Sequence, residues 1–177
     1  MNAPARAAEA GGGLSGAAIL KAVKDAGIEY VLSVPDLHTA KGLLAPITTD
    51  KELTLVRVCK EDETLGIAAG LTYGDKRSLI LIQYTGFLYA MNAIRGVACE
   101  QRLPMVMMIG LLSKEVGVAP RESKKFGLRI VEPILDVMGI ERHYIDLDED
   151  VAKITPAIER AWKESRTVAF LIGRRPS

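Results

Sequence analysis

Three consecutive acidic residues, Glu61, Asp62 and Glu63, run straight into small and apolar ones in VCKEDETLGIAAGL (58–71). Carboxylates at a helix start suit the positive end of the helix dipole and the free N–H groups of the first turn, so all three could serve as caps. Gly66 and Gly70 suggest a further purpose, because each costs about 1 kcal/mol relative to Ala inside a helix. Spaced at i and i+4 with Ala69 alongside, they make a flat face that another backbone can approach, from a neighbouring strand, a second subunit or a cofactor. A partner covering that face would take Glu61 out of water, and a buried carboxylate is held only if something binds it.

Other residues with chemical capacity recur along the chain. VPDLHT holds Asp36 and His38, QYTGFLYAMN holds Gln83, Thr85, Gly86 and Asn92, and LLSKEVGVAPRESKKFGL holds Arg121, Lys124 and Lys125. An aspartate, or a histidine with its ordinary pKa of about 6.5, can relay a proton. Arginine and lysine can hold an oxyanion, arginine through paired hydrogen bonds. Each has a plainer reading as well: Asp36 and Thr85 as caps, His38 as an exposed or core-edge residue, and the basic segment as a solvated loop offset in part by Glu122.

The elements that must position these groups alternate in type. β-rich apolar runs fall near 28–34, 53–59, 78–84, 105–110, 142–147 and 167–172, with helical patterns between them. LILI (79–82) and MVMMI (105–109) are apolar at every position, which requires cover on both faces and so a parallel sheet between helices. The expected fold is α/β: a doubly wound, mostly parallel six-stranded sheet with helices on both faces, forming one domain over 14–177. Residues 1–13, rich in Ala and Gly, are expected to be a disordered tail before a helix capped near Ser15. Ile154, Ala157, Ile158 and Ala161 share one helical face, Pro156 suits that helix's start, and Trp162 beside the stripe is read as packing. In such sheets ligands bind beyond the carboxyl ends of the strands, and the polar candidates above all follow strands.

With 177 residues, 49% of them hydrophobic, the chain can bury one sizeable core. A formal net charge of +1 provides no field for nucleic acid or an anionic membrane. No apolar run reaches membrane-spanning length, and MNAPARAAEAGGG lacks the apolar centre of a signal peptide, so a cytoplasmic location is expected. Cys59 and Cys99 have no metal-ligand spacing and are read as core residues of a reducing compartment.

Taken together these residues resemble the pyrimidine-binding domain of thiamine diphosphate enzymes, above all the sulfopyruvate decarboxylase alpha subunits and the N-terminal half of phosphonopyruvate decarboxylases, over about residues 15–173. In that family a Glu ending the second strand precedes, by nine positions, a Gly in an Ala-rich helix, as Glu61 precedes Gly70. A second family pattern, Gln-Asn-Ser-Gly-Leu-Gly-Asn with a further Asn, is matched at Gln83, Gly86 and Asn92; Tyr84, Phe87, Leu88 and Tyr89 depart from it. The resemblance implies that Glu61 hydrogen-bonds N1′ of the cofactor's aminopyrimidine, with Gln83, Thr85, Gly86 and Asn92 lining the cofactor site. It also implies decarboxylation of a small 2-oxo acid, with His38 or Asp36 relaying a proton.

Family members hold the diphosphate through Mg²⁺, using a Gly-Asp-Gly motif and a later Asn in a second domain. GDK (74–76) lacks the second Gly. The resemblance therefore implies a separate beta subunit carrying the diphosphate/Mg²⁺-binding domain, in an α/β hetero-oligomer. Arg121 and Lys124 would suit a substrate with a second anionic group, a sulfonate or phosphonate, whereas Tyr84, Phe87 and Tyr89 would suit a bulkier or less charged one. Two further readings remain open at this level: a non-catalytic binding or regulatory subunit of the same fold, and a carboligase subunit.

Overall fold

The computed structural model describes residues 13–177, so the tail expected over 1–13 lies, apart from Gly13, outside the described residues. Helix α1 (Gly16–Asp25) starts at Ser15, whose Oγ accepts the Ala18 N–H at 3.2 Å. Six strands follow, interleaved with helices: β1 (Tyr30–Ser33), β2 (Thr54–Arg57), β3 (Ser78–Gln83), β4 (Val106–Gly110), β5 (Glu141–Ile145) and β6 (Val168–Ile172). All pair in parallel, in the order β2-β1-β3-β4-β6-β5. The strands are shorter than the apolar runs that announce them, because those runs continue into buried turn residues such as Ile28, Leu53 and Met105.

The remaining helices are α2 (Ala45–Ile47), α3 (Glu61–Tyr73), α4 (Tyr84–Tyr89), α5 (Met91–Ala93), α6 (Phe126–Val137) and α7 (Ile154–Glu164). Wide π-helical turns at Ala40–Leu44 and Ile94–Glu100 lead into α2 and out of α5. The sheet separates two apolar layers. Leu79 and Leu81 of β3, Val106 and Met108 of β4 and Phe170 of β6 pack with Val23 of α1, Ile47 of α2 and Ile158 of α7. The alternate residues Ile80, Ile82, Met107, Ile109 and Leu171 pack with Leu65 of α3, Phe87 of α4 and Leu128 and Leu135 of α6. Hence the central strands are apolar at every position, while the edge strand β2 has an exposed, half-buried, half-buried, exposed pattern. Trp162 packs at the edge of the first layer with the Arg77 guanidinium over its ring, 5.1 Å from the centroid.

The connection leaving β1 crosses one face and that leaving β3 crosses the other, so their loops part and open a crevice at the carboxyl ends of the strands. One sequence expectation is corrected. Cys59 is exposed, because the chain has already left β2 and is turning into α3; Cys99 is half-buried.

The end of the chain closes against its beginning, with Ser177 N–H donating to Leu14 O at 2.9 Å and Gly16 N–H to Ser177 O at 3.0 Å. Three backbones meet there with no room for side chains: a Cβ on Gly16 would lie 1.9 Å from Gly42 O, and one on Gly42 would lie 2.2 Å from Pro176 O. We predict that Gly42→Ala destabilises the chain by about 1–3 kcal/mol through overpacking, read as a lower urea midpoint with the m-value unchanged.

Candidate functional site

Glu61 is the first residue of α3, but it is not the cap. Glu63 takes that role, its Oε2 accepting the Cys59 N–H at 3.0 Å and the Lys60 N–H at 3.4 Å. Thr64, fully buried, donates its hydroxyl to the Glu61 carbonyl and ties down the first turn. The Glu61 side chain is left half-buried, and among the described residues nothing hydrogen-bonds its carboxylate. Asp62 Oδ1 is buried and also has no partner.

The surface under that carboxylate is Gly86. A Cβ at residue 86 would lie 2.3 Å from Glu61 Cγ and 2.5 Å from Oε1, so only glycine lets the Glu61 side chain lie across the start of α4. The two sequence patterns, one after β2 and one after β3, thus meet in a single contact. Beside it, at the end of β3, Gln83 Nε2 donates to Thr85 Oγ1 at 2.9 Å. Asn92 lies exposed on α5, its Oδ1 accepting from Arg95 Nε and Nη2 at 3.2 and 3.1 Å; no hydrogen bond ties it to Glu61.

The loop after β1 crosses the rim of the sheet and lays His38 against Gly110 at the end of β4, where a Cβ would be 3.2 Å from His38 Cβ and 3.3 Å from Cδ2. His38 is 4% exposed and, among the described residues, neither ring nitrogen has a hydrogen-bond partner. The Ile172 carbonyl lies near the ring and favours its protonated form. Burial lowers the His38 pKa, and the Asp36 charge only partly opposes it. Asp36 is committed to its own loop: Oδ1 accepts the backbone N–H groups of His38 and Thr39, and Oδ2 accepts the Thr39 hydroxyl.

The basic residues go elsewhere. Arg121 pairs with Asp136 and approaches Glu132 Oε2 at 3.8 Å, on the last turns of α6 beside Arg142 at the amino end of β5. The structure therefore turns its guanidinium away from the carboxyl-end rim. Lys124 is exposed just before α6, its backbone N–H held by Glu115 Oε1 at 3.1 Å.

No family model matches the chain. Individual proteins do. The sulfopyruvate decarboxylase subunit alpha of Methanocaldococcus jannaschii is 30% identical over 155 residues, covering 87% of this chain and 90% of the relative. The chain belongs to the family of sulfopyruvate decarboxylase alpha subunits. Subunits of the same description from Methanococcus maripaludis (29% over 92 residues) and Methanothermobacter thermautotrophicus (30% over 95 residues) match about half of the chain and of their own lengths.

In this member of the alpha-subunit family, the glycines of α3 have no partner of their own. Among the described residues a Cβ at Gly66 or Gly70 would meet nothing within 4 Å, so packing among them does not account for these glycines. An apolar concavity of about 480 Å³, lined by Met91, Ile130, Pro133, Ile134, Val137 and Met138, contains none of the candidate residues. Two residues that sequence reasoning passed over do stand at strand ends, Lys114 after β4 and Asp146 after β5, 3.6 Å apart. Their signal was the charged residue next to the strand terminus in GLLSKE and IDLDED.

Two predictions follow from this geometry. Glu63→Ala removes the cap and costs about 0.5–2 kcal/mol in a thermal or urea melt, whereas Glu61→Gln, which removes no hydrogen bond, leaves the melt within about 0.5 kcal/mol. His38 is held neutral in the fold and takes up its proton more readily once unfolded, so stability falls as pH drops below the unfolded value of about 6.5. His38→Asn should flatten the pH 7-to-5 slope of the urea midpoint.

Proposed function

We propose that this chain is the alpha subunit of a thiamine diphosphate-dependent 2-oxo acid decarboxylase, in which Glu61 engages N1′ of the aminopyrimidine. The observation that carries this reading is the Glu61 carboxylate, supported on Gly86 and hydrogen-bonded to nothing among the described residues, while Glu63 does the capping. The residues present fit a flat heteroaromatic edge: an acceptor without a competing donor, on a floor from which a side chain is missing. When bound, thiamine diphosphate supplies the electron sink for loss of CO₂.

The work of this chain is to hold and move protons around that group. Closure of the site by a partner would withdraw Glu61 from solvent and leave its carboxylate facing the ring nitrogen with which it shares a proton. His38, neutral and with both ring nitrogens unpartnered, can accept and donate, and is the proton relay of this reading. Asp36 fixes the His38 backbone and acts as a positioning residue. Gln83 and Thr85 orient one another at the β3 end of the crevice.

The diphosphate and its Mg²⁺ are assigned to a beta subunit, in keeping with the alpha-subunit description of the relatives and the incomplete GDK sequence. The open Gly66 and Gly70 face of α3 suits close contact with that subunit. Among the described residues no helix is long and apolar enough to cross a membrane, and we assign the complex to the cytoplasm.

The test combines the chain with the partner subunit, thiamine diphosphate and Mg²⁺. Decarboxylation of sulfopyruvate is expected, and its absence would support a non-catalytic subunit instead. Adding an aldehyde acceptor and analysing the products separates decarboxylation from carboligation. Glu61→Gln should lower kcat by at least about 10²-fold, with assembly by gel filtration unchanged. Gly86→Ala should lower turnover by about 10-fold or more, because the added methyl group takes the space of the Glu61 side chain. A Glu61→Gln complex that turns over at the original rate would reject the assignment.

A further inference from the structure

The loop leaving β4 makes a tight turn, with Lys114 N–H donating to Leu111 O at 3.0 Å and Ser113 in the left-handed region at φ 61°. A non-glycine residue adopts that conformation only where its surroundings hold it there. The turn carries the Lys114 side chain inward over the ends of β6 and β5. Its Cδ would be 3.2 Å from a Cβ on Gly173, and Asp146 Oδ1 only 2.0 Å from it, so the approach depends on a residue without a side chain just after β6. The Lys114 side chain is 7% exposed.

It is the apolar stem of Lys114 that is covered, and the charged head at its end is held firmly only by close hydrogen bonding. Lys114 Nζ has instead one carboxylate oxygen, Asp146 Oδ2, at 3.6 Å, beyond the roughly 2.7–2.9 Å of a charge-assisted hydrogen bond. Asp146 Oδ1 is buried with no partner, and so are both ring nitrogens of His38, which feels the charges of Asp146 and Arg175. Three polar side chains from three different loops therefore converge on the carboxyl ends of β4, β6 and β5; Asp146 is still 36% exposed, so the group opens onto the crevice, while Asp146 Oδ1 and the His38 nitrogens have no hydrogen-bond partner among the described residues. Convergent groups of this kind at a strand-end crevice are features of a binding site.

We propose that Lys114 is the cation with which this chain meets the second anionic group of the substrate, a sulfonate or phosphonate, with His38 beside it and Asp146 as its resting counter-ion. The inference rests on the decarboxylase reading. It replaces Arg121, whose guanidinium is paired near the amino end of β5, and Lys124, which is exposed. Neighbouring strands lie about 4.8 Å apart, so the end of β6 is roughly 10 Å along the rim from the end of β3. His38 spans the interval, lying against Gly110 of β4. An ammonium acts as a compact point charge, suited to a tetrahedral oxyanion that approaches from one side.

The experiment uses the complex with the partner subunit and compares sulfopyruvate with pyruvate, the latter as substrate or as competitive inhibitor. Lys114→Met is expected to weaken recognition of sulfopyruvate roughly 10- to 100-fold more than that of pyruvate, chiefly in KM. Asp146→Asn, which removes the competing carboxylate and keeps its shape, is expected to lower KM for sulfopyruvate relative to the pyruvate constant. Parallel losses on both compounds with Lys114→Met, or an Asp146→Asn variant that loses sulfopyruvate recognition, would make the pair a structural clamp and overturn the inference. Should Lys114→Met fail to assemble, the direction of the Asp146→Asn change decides alone. A wild-type complex inert toward both compounds would reject the decarboxylase reading itself, an outcome distinct from intact turnover that is indifferent to Lys114.

Discussion

The site depends on a side chain that is absent, since Glu61 can lie across the start of α4 only while residue 86 has no Cβ. The contact joins the end of β2 to the end of β3 over β1, which lies between them in the sheet. Much of the surrounding structure serves to make that contact possible. Parallel pairing brings both strand termini to one rim, two apolar layers hold the sheet flat between helices, and Glu63 and Thr64 fix the first turn of α3. Because Glu63 supplies the cap, the Glu61 carboxylate is available for other work.

The rim carries a second group of charges beyond the first. Over β1 and β3 the chain offers the Glu61 carboxylate; over β4, β6 and β5 it offers Lys114, Asp146 and His38. The insertion of β6 between β4 and β5 brings the latter residues together, because it sets the loop after β4 and the loop after β5 on either side of Gly173. Thus one topology, with its two reversals of strand order, produces two chemically different ends to one crevice.

Features set by local pattern could be read in advance from the residues. Uninterrupted apolar runs at β3 and β4 required cover on both faces, and Ser15 capped α1 as its position suggested. Features that depend on partners distant in sequence could not be read. Arg121 looked like a loop cation until Asp136, 15 positions on, claimed it from α6. Cys59 follows the apolar residues of β2 in sequence yet is exposed, since the chain is leaving the sheet there. The burial of Lys114 depends on a left-handed serine and on the absence of a side chain at Gly173, neither of which has a periodic signature.

The glycines of α3 give this helix an uneven rigidity along its length. Its amino-terminal turn is clamped by Glu63, Thr64 and the buried Leu65, while Gly66 and Gly70 surrender intrinsic helix preference without any return from the other described residues. Local opening in an unassembled chain would therefore begin toward Tyr73 and die out before reaching Glu61. The Glu61 end stays ordered even while the far end breathes, so anything that covers the glycine face would stiffen the half of the helix that lies away from Glu61.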